Sequence, residues 1–433
     1  MRDHHENHAN GWRDTTLGEL LAHRRERGHD DDPLLSVTAT RGVVLQAEAG
    51  RRDISNADKS AYWRVFPGDL AYNSMRMWQG VSGRSEYFGI VSPAYTVCAP
   101  RPACDSAFIA HLLKHPRSIA AFKNRSQGLV SDTWNLKYGP FAAIQTTVPV
   151  STIEQRRIAE ILDAVDGRIR STERLIAKLD QIKLGLLHDL LTCGINENGE
   201  IRNPLDRDQF VAARSLGSLP VGWVTRRFAD MAPSGRPHLK TGPFGSALKG
   251  DDWVDAGVPV VTIGALGEGD LLPDELLFIS KLKASELAAY ALEAGDIVFS
   301  RVADVGRSMV IQDDQIGWIM SSNLMRISLD RTIASPFFIH YALTSCPSVR
   351  QQIRANVNAS GRDVATGSIL NRLLIPLPPL EEQLEIVARA GRAANALRSY
   401  VAERDKLREL KSGLMDDLLT GRVRVKVDDK DAA

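Results

Sequence analysis

The chain has 433 residues, more than one hydrophobic core usually serves, so its length predicts two or more domains. Apolar residues make up 43% and charged residues 25%, which is typical of a soluble globular protein, and no apolar run is long enough to span a bilayer. We therefore expect a cytoplasmic protein. The net charge of +1 neither favours nor excludes nucleic acid, because phosphate binding depends on where lysine and arginine lie.

Cysteine and histidine residues form no strong metal-binding pattern. The four cysteines are too scattered for a disulfide framework or a zinc site, and we expect buried free thiols: Cys98, Cys104, Cys193 and Cys346. His4, His5 and His8 could hold a metal in principle, but we interpret them as a mobile, solvated terminus. We assign no metal.

An internal repeat divides the chain. Residues 154–192 match residues 382–420 at a constant offset of 228 without a gap, and 14 of these 39 positions are identical. Weaker similarity precedes each copy, so the two globular domains are expected to share a fold. The repeat predicts, in chain order, a domain at 1–147, a helix at 148–194, a domain at 195–374, a helix at 375–423 and a disordered tail at 424–433.

The first domain contains an apolar run that predicts a buried strand, Asp69 to Asn73. The Gly-Asp pair before it indicates a turn, so we interpret Gly68 and Asp69 structurally. Residues just beyond the strand are better candidates for function, namely Asn73, Arg76 and Trp78. Later in the domain a basic cluster carries side chains of the kinds that read base edges or bind phosphates, including Lys114, Arg125 and Gln127.

The first repeated helix has apolar residues at alternating spacings of four and three from Ile158 to Leu179, which is a heptad seam. Ser151 and Glu154 stand at the spacing of a capping box, which predicts a defined start. Gly185, near the far end, could shorten or bend the helix.

The second domain contains apolar runs that predict strands at 258–263, 296–300 and 309–311, so we predict mixed α/β domains with twisted sheets. Arg301 and Arg307 lie just beyond one strand, as Arg76 does in the first domain. A second basic cluster includes Ser360 and Arg362. One such cluster is usually a solvated face, but its recurrence at the same place in both domains favours nucleic-acid binding.

The second repeated helix follows the proline-rich run 375–379 and carries the same seam, with Gly413 near its end. Connectivity allows it to return alongside the first helix. We therefore predict an antiparallel coiled coil between two domains, with an internal pseudo-two-fold axis. The alternatives are core helices of a larger α/β protein and a dimerisation coiled coil.

No catalytic constellation is recognisable in the sequence. Asn203-Pro204-Leu205 lacks the second proline and the aromatic residue of an amino-methyltransferase loop. The glycine-rich run 241–250 lacks the Gly-Lys-Ser/Thr ending of a phosphate-binding loop. Glu409 and Lys411 have nuclease-like spacing but lie on a helix, where residues two apart point in different directions.

Several motifs in this order resemble the specificity (S) subunit of type I restriction-modification systems, and the resemblance covers essentially the whole chain. They are the entry motif 219–223, the run 241–246 with Lys249, the run 295–301, the proline-rich run 375–383, and the Asp-Leu-Leu-Thr ending seen twice. The first domain departs from the pattern, because it has no counterpart of Gly242 to Ser246.

This resemblance implies that each domain reads one half of a bipartite, asymmetric site in double-stranded DNA. The helix pair would set the spacing and dock two modification subunits, while restriction subunits complete the enzyme. S-adenosylmethionine, ATP and Mg would then be bound by those partners, and this chain would be non-catalytic. Expected DNA contacts are Asn73, Arg76, Trp78, Arg125, Gln127, Phe244, Ser246, Lys249, Arg301, Arg307, Ser360 and Arg362. Expected partner contacts are Glu154, Gln155, Asp189, Glu382, Gln383 and Asp417.

Two other classes of function stay open on the sequence. One is a stand-alone DNA methyltransferase or nuclease with unrecognised motifs, which would bind S-adenosylmethionine by itself or cut DNA. The other is a coiled-coil scaffold that does not contact DNA.

Overall fold

The computed structural model describes residues 11–50, 58–128, 133–213, 216–244, 247–267, 271–302, 305–359 and 364–425. The chain divides into two compact units: unit one comprises residues 1–174 and 401–433, and unit two comprises residues 175–400. Within the described ranges no helix combines the length and apolarity that a membrane span requires.

Unit one begins with a mixed α/β domain. Its described strands are β1 (Trp12–Thr16), β2 (Leu21–His23), β3 (Leu35–Thr38), β4 (Gly42–Leu45), β5 (Trp63–Val65), β6 (Leu70–Asn73), β7 (Ser82–Arg84), β8 (Gly89–Val91), β9 (Tyr95–Pro100) and β10 (Gln145–Pro149). Its described helices are α1 (Leu17–Leu20), α2 (Ser106–Lys114), α3 (Pro116–Arg125), α4 (Tyr138–Ala142) and the first part of α5 (Thr152–Thr192).

Unit two repeats this plan with additions. Its described strands are β11 (Phe210–Ala213), β12 (Gly217–Pro220), β13 (Val224–Arg227), β14 (Leu239–Thr241), β15 (Trp253–Val254), β16 (Val258–Val261), β17 (Leu277–Ile279), β18 (Ile297–Ser300), β19 (Ser308–Val310), β20 (Ile319–Met320), β21 (Leu324–Ile327) and β22 (Leu374–Leu377). Its described helices are α6 (Lys281–Glu286), α7 (Pro336–Ser345), α8 (Pro347–Ala359), α9 (Gly367–Arg372) and the first part of α10 (Leu380–Leu418), whose last part belongs to unit one.

The main sheets of the two units have the same topology. Unit one has the antiparallel order β2-β9-β6-β7, and unit two has the antiparallel order β14-β21-β18-β19. The predicted strand at Asp69 to Asn73 is β6, and the one at 296–300 is β18; each is an inner strand of its sheet. All four residues of β18 are buried, which explains why the sequence reads as a continuous apolar run. The sheets meet the prediction of mixed α/β domains.

Within each unit the segments of α5 and α10 run antiparallel. In unit one, Asp166 on α5 binds Lys411 on α10, while Glu154 at the start of α5 binds Arg424, which follows the end of α10. In unit two, Leu191 at the end of α5 shares a core cluster with Ile386 near the start of α10. The seam residues Ile158, Leu162, Ile169 and Thr172 are buried, as the heptad spacing predicts.

The two glycines near the helix ends neither break nor end the helices. Gly185 and Gly413 lie inside α5 and α10, and a Cβ at either position would meet nothing within 4 Å. The helices end instead near Gly194 and Gly421, which both adopt positive φ, at 64° and 71°. Glycine reaches this left-handed conformation without the Cβ penalty, so it suits a helix C-terminus.

Two predictions need correction, one about the start of α5 and one about the C-terminal tail. Ser151 Oγ accepts a hydrogen bond from the Glu154 N–H at 3.3 Å, as a capping box requires, but the Glu154 carboxylate binds Arg424 instead of completing the box. The predicted tail 424–433 therefore begins with an ordered residue, and Val425 packs against the core of unit one. Residues 426–433 lie outside the described residues.

A buried glutamine ties each domain to the start of its long helix. Gln155 accepts a hydrogen bond from the Asp105 N–H before α2 and donates to the Pro149 carbonyl, both at 2.8 Å. Gln383 accepts from the Ser335 N–H before α7 at 2.8 Å and donates to the carbonyls of Ile333 and Pro378. Both side chains are fully buried. The repeat therefore extends from sequence identity to one shared set of contacts.

Replacing Gln383 with Ala should destabilise unit two by on the order of 3 kcal/mol, because two buried backbone groups and one half-buried carbonyl lose their partner. Hydrogen exchange of the first turns of α7 and α10 measures this change. The exposed Gln351 supplies the matched control, since Gln351→Ala removes the same amide without leaving a buried group unpaired. Equal protection in the two variants would contradict the assigned role.

Candidate nucleic-acid interface

In unit one, Asn73 is the last residue of β6, and the other two predicted contact residues of this group, Arg76 and Trp78, follow on the next turn. Asn73 Oδ1 accepts a hydrogen bond from the Met75 N–H, and Trp78 Nε1 donates to the Met75 carbonyl. These bonds shape the turn and leave the Arg76 side chain exposed. The strand therefore ends in a defined loop that presents a cation and an aromatic ring.

Two further predicted residues lie on an adjoining segment. Arg125 is the last residue of α3, and Gln127 pairs through its backbone with Asn135. This segment meets the first turn where Trp78 packs edge to face on Trp134, with ring centroids 5.3 Å apart. The structure thus brings the five candidates of unit one onto two neighbouring segments.

Lys114, in the basic cluster of the first domain, is not available to a phosphate. Its Nζ donates hydrogen bonds to the carbonyls of Ala39 and Gly80, at 3.1 and 2.7 Å. Burial, with the nearby charge of Lys411, lowers the pKa of Lys114 to about 8. Lys114 therefore holds the loops of unit one in place, which the charge pattern alone did not reveal.

In unit two, Arg301 follows the end of β18 and lies beside Phe244. The guanidinium carbon of Arg301 is 5.7 Å from the centroid of the Phe244 ring, which is 63% exposed. Burial lowers the pKa of Arg301 from its ordinary value, although the side chain stays charged at neutral pH. The structure therefore joins two candidates that are more than fifty residues apart in sequence.

The other candidates of unit two are less closely grouped. Lys249 is exposed at the start of a short 3-10 turn, and its N–H donates to Asp252. Arg307 is half-buried just before β19, and its carbonyl accepts a hydrogen bond from the Ser300 N–H. Ser246, Ser360 and Arg362 lie outside the described residues. Their contact with DNA stays a prediction.

The Gly-Asp turns have the structural role that the sequence indicated. Asp69 is buried, and it accepts two hydrogen bonds from Arg24 and one from the Phe66 N–H. The hydrogen bonds to Asp69 raise the pKa of Arg24. Asp296 accepts in the same way from Arg236 and from the Glu293 N–H. These bonds hold the entry of β6 and β18, so neither aspartate is a ligand-binding group.

The six residues expected to contact a partner have mixed positions. Gln155 and Gln383 are fully buried in the contacts described above, and Glu382 binds Arg202, Trp223 and the Ile195 N–H. These side chains support the domains from inside. Asp189 is exposed, and Asp417 is half-buried against Arg422. Partner contact stays a prediction for all six residues, Glu154 included.

One surface of unit one was not singled out from the sequence. Arg27 lies over the ring of Trp63 at 3.6 Å, and His23 stacks on Tyr138 with ring centroids 4.5 Å apart. Arg25 donates a hydrogen bond to His23. These residues come from separate strands and loops, so no local motif could have indicated that they meet.

One group of side chains has the composition of a metal site. His111, Asp163 and Asp166 in unit one hold potential ligand atoms within 4.8 Å of one another. However, His111 Nε2 is hydrogen-bonded to Asp163 at 2.9 Å, which lowers the pKa of that carboxyl group, and Asp166 is paired with Lys411. The ammonium group opposes a second cation, so the group serves to dock α2 on the long helices.

Cys98, Cys193 and Cys346 are buried and all four cysteines are free thiols.

The chain is similar to known proteins of one kind. A family model described as the type I restriction modification DNA specificity domain matches residues 220–391. The MjaVIII specificity subunit of Methanocaldococcus jannaschii is 22% identical over 277 residues, which cover 63% of this chain and 61% of that protein. The MjaX specificity subunit of the same organism is 23% identical over 381 residues, which cover 86% and 82%. The chain thus spans less than two thirds of the first of these relatives.

A solved structure shares the fold over nearly the whole chain. The type I restriction-modification S subunit from M. genitalium has a TM-score of 0.58 at 12% identity, with 96% of this chain and 97% of that chain covered. This likeness concerns the fold, which in this chain consists of two units that repeat one plan. Residues 220–391 match the specificity-domain family, and the chain is similar to specificity subunits of type I restriction enzymes.

A tryptophan stands at the matching place in both units, but only one of the two side chains forms a hydrogen bond. The two tryptophans can therefore be compared within one protein. Trp223 Nε1 donates to Glu382 at 3.0 Å, whereas the matching Trp12 Nε1 is buried without a partner among the described residues. Trp223→Phe should destabilise unit two by about 2 kcal/mol, because a bond to a carboxylate is lost. Trp12→Phe removes no hydrogen bond and is the control. Hydrogen exchange resolved by unit gives both values, and an equal loss in the two units would refute the assignment.

Proposed function

We propose that this chain is the DNA-reading subunit of a type I restriction-modification enzyme. Each globular domain reads one half of a bipartite, asymmetric sequence in double-stranded DNA. The pair α5 and α10 sets the spacing between the halves. One observation carries the proposal. Both units have the same sheet order and the same buried glutamine contacts, but the side chains at the ends of β6 and β18 differ.

The duplication supports two readers better than a scaffold. A scaffold needs only the helices, yet each unit also builds a four-stranded sheet whose inner strand ends in exposed or half-buried cationic and aromatic groups. Arginine and polar side chains of these kinds bind phosphates and base edges. The divergence at the strand ends then follows from reading two different half-sites.

The partners and the chemistry belong to the same proposal. Modification subunits, two for each copy of this chain, dock on the long helices, and restriction subunits join them. Those partners bind S-adenosylmethionine, ATP and Mg, and this chain is non-catalytic. The assembly acts on DNA in the cytoplasm.

A selection experiment tests the proposal. The full chain, purified with its modification subunits, is expected to select from random double-stranded DNA two fixed blocks separated by a constant gap. Arg76→Ala should weaken selection in one block only, because Arg76 is an exposed residue of unit one. Selection of no sequence would refute DNA reading, and strong binding of S-adenosylmethionine by the chain alone would favour a stand-alone methyltransferase.

The helix pair gives a second prediction. One heptad inserted after Arg174 and one after Tyr400 lengthen both helices by about 10.5 Å. The gap between the selected blocks should grow by about 3 base pairs, at 3.4 Å for each pair. The half-site sequences should stay the same.

An insertion in α5 alone is the control, because it shifts the seam residues of one helix against the other. It should weaken binding without defining a new gap. Changed half-site sequences after the double insertion would contradict the role of the helices as a spacer.

A further inference from the structure

Arg301 carries a charge that the described residues do not compensate. Its backbone is held on both sides, by the bond from its N–H to the Asn323 carbonyl and by the bond from the Ala365 N–H to its own carbonyl. Its Nε is buried and has no hydrogen-bond partner in the described part of the chain. The side chain is only half-exposed, so part of its hydration is lost without replacement.

Three other buried or half-buried arginines each have a hydrogen-bond partner for the guanidinium group. Arg24 is paired with Asp69, and Arg236 is paired with Asp296 and Glu293. Arg326 also has a buried Nε without a partner among the described residues, but its Nη1 donates to the Ala291 carbonyl. A guanidinium group that is desolvated but unpaired gains more from a bound acceptor than a fully hydrated one does. The position of Arg301 therefore favours an external ligand.

Phe244 indicates what kind of ligand fits. Its loop is held close to the sheet, because a Cβ at Gly242 would lie 2.0 Å from the Ser321 carbonyl oxygen. The exposed ring lies beside the guanidinium group, so the donors of its terminal nitrogens and an apolar ring face lie next to each other. A phosphate would use the donors alone. A base pair uses both, through its edge and through stacking or a methyl contact.

We propose that Arg301 reads a guanine in the half-site bound by unit two, with Phe244 packing on the neighbouring base. Arginine donates two parallel hydrogen bonds to guanine O6 and N7 in the major groove. This assignment rests on the proposed function. Unit one lacks this reader, because Ser74 follows β6 at the place where Arg301 follows β18.

Sequence selection with the full chain and its modification subunits tests the assignment. The wild type should fix one G·C pair in the block read by unit two. Arg301→Gln should abolish that preference or move it to adenine, since glutamine binds adenine N6 and N7, and should reduce affinity for the original sequence roughly 10- to 100-fold. The other fixed positions should not change. Arg76→Gln in unit one is the matched control and should leave this G·C pair fixed.

The outcomes separate the two levels of the proposal. If the wild type selects no sequence, the proposed function fails. If Arg301→Gln weakens all sequences equally and keeps the same selected pattern, Arg301 is a phosphate contact and the guanine assignment is overturned. If Arg301→Gln does not fold, Phe244→Leu provides a second test. Phe244 is exposed, so its replacement should not disturb the core of unit two. It should lower the preference at or next to the same pair several-fold, and an unchanged pattern would overturn the assignment.

Discussion

The structure depends on satisfying the polar groups where each long helix leaves its domain. The last strand of each domain ends in proline-containing segments, and the next helix must begin within the core, where unpaired backbone groups are costly. One glutamine amide resolves this in both units by joining the strand, the helix that follows the sheet and the long helix. A domain that is held rigidly on a helix can be positioned by that helix. The proposed role as a DNA spacer needs this rigidity.

The repeat keeps these contacts and varies what surrounds them. Glu154 and Glu382 occupy the same place, but one binds an arginine from the end of the chain and the other binds Arg202 and Trp223. A buried carboxylate needs a cation, and either source supplies one. Structural identity is therefore preserved by the chemistry of the contact, while the partner residue is free to change.

The recognition surfaces follow a different rule. An aspartate-arginine pair holds the entry of each strand, Asp69 with Arg24 at β6 and Asp296 with Arg236 at β18. The position at which each strand begins is therefore fixed in the same way in both units. At the end of the strand unit one has a turn with Arg76 and Trp78, and unit two has the pair Arg301 and Phe244. Two readers of different sequences require a support that both units share and strand ends that differ between them.

The sequence by itself determined the repeat, both long helices, the inner strands and the Gly-Asp turns, because periodicity and turn chemistry are local properties. It also placed Asn73, Arg76 and Trp78 together at the end of β6. Only the tertiary structure decided that Lys114 is buried against carbonyl groups, that Glu154 binds Arg424 instead of completing a capping box, and that Arg301 meets Phe244. Each of these depends on contacts between residues far apart in the chain, and the free energy of a charged or polar side chain is set by such contacts.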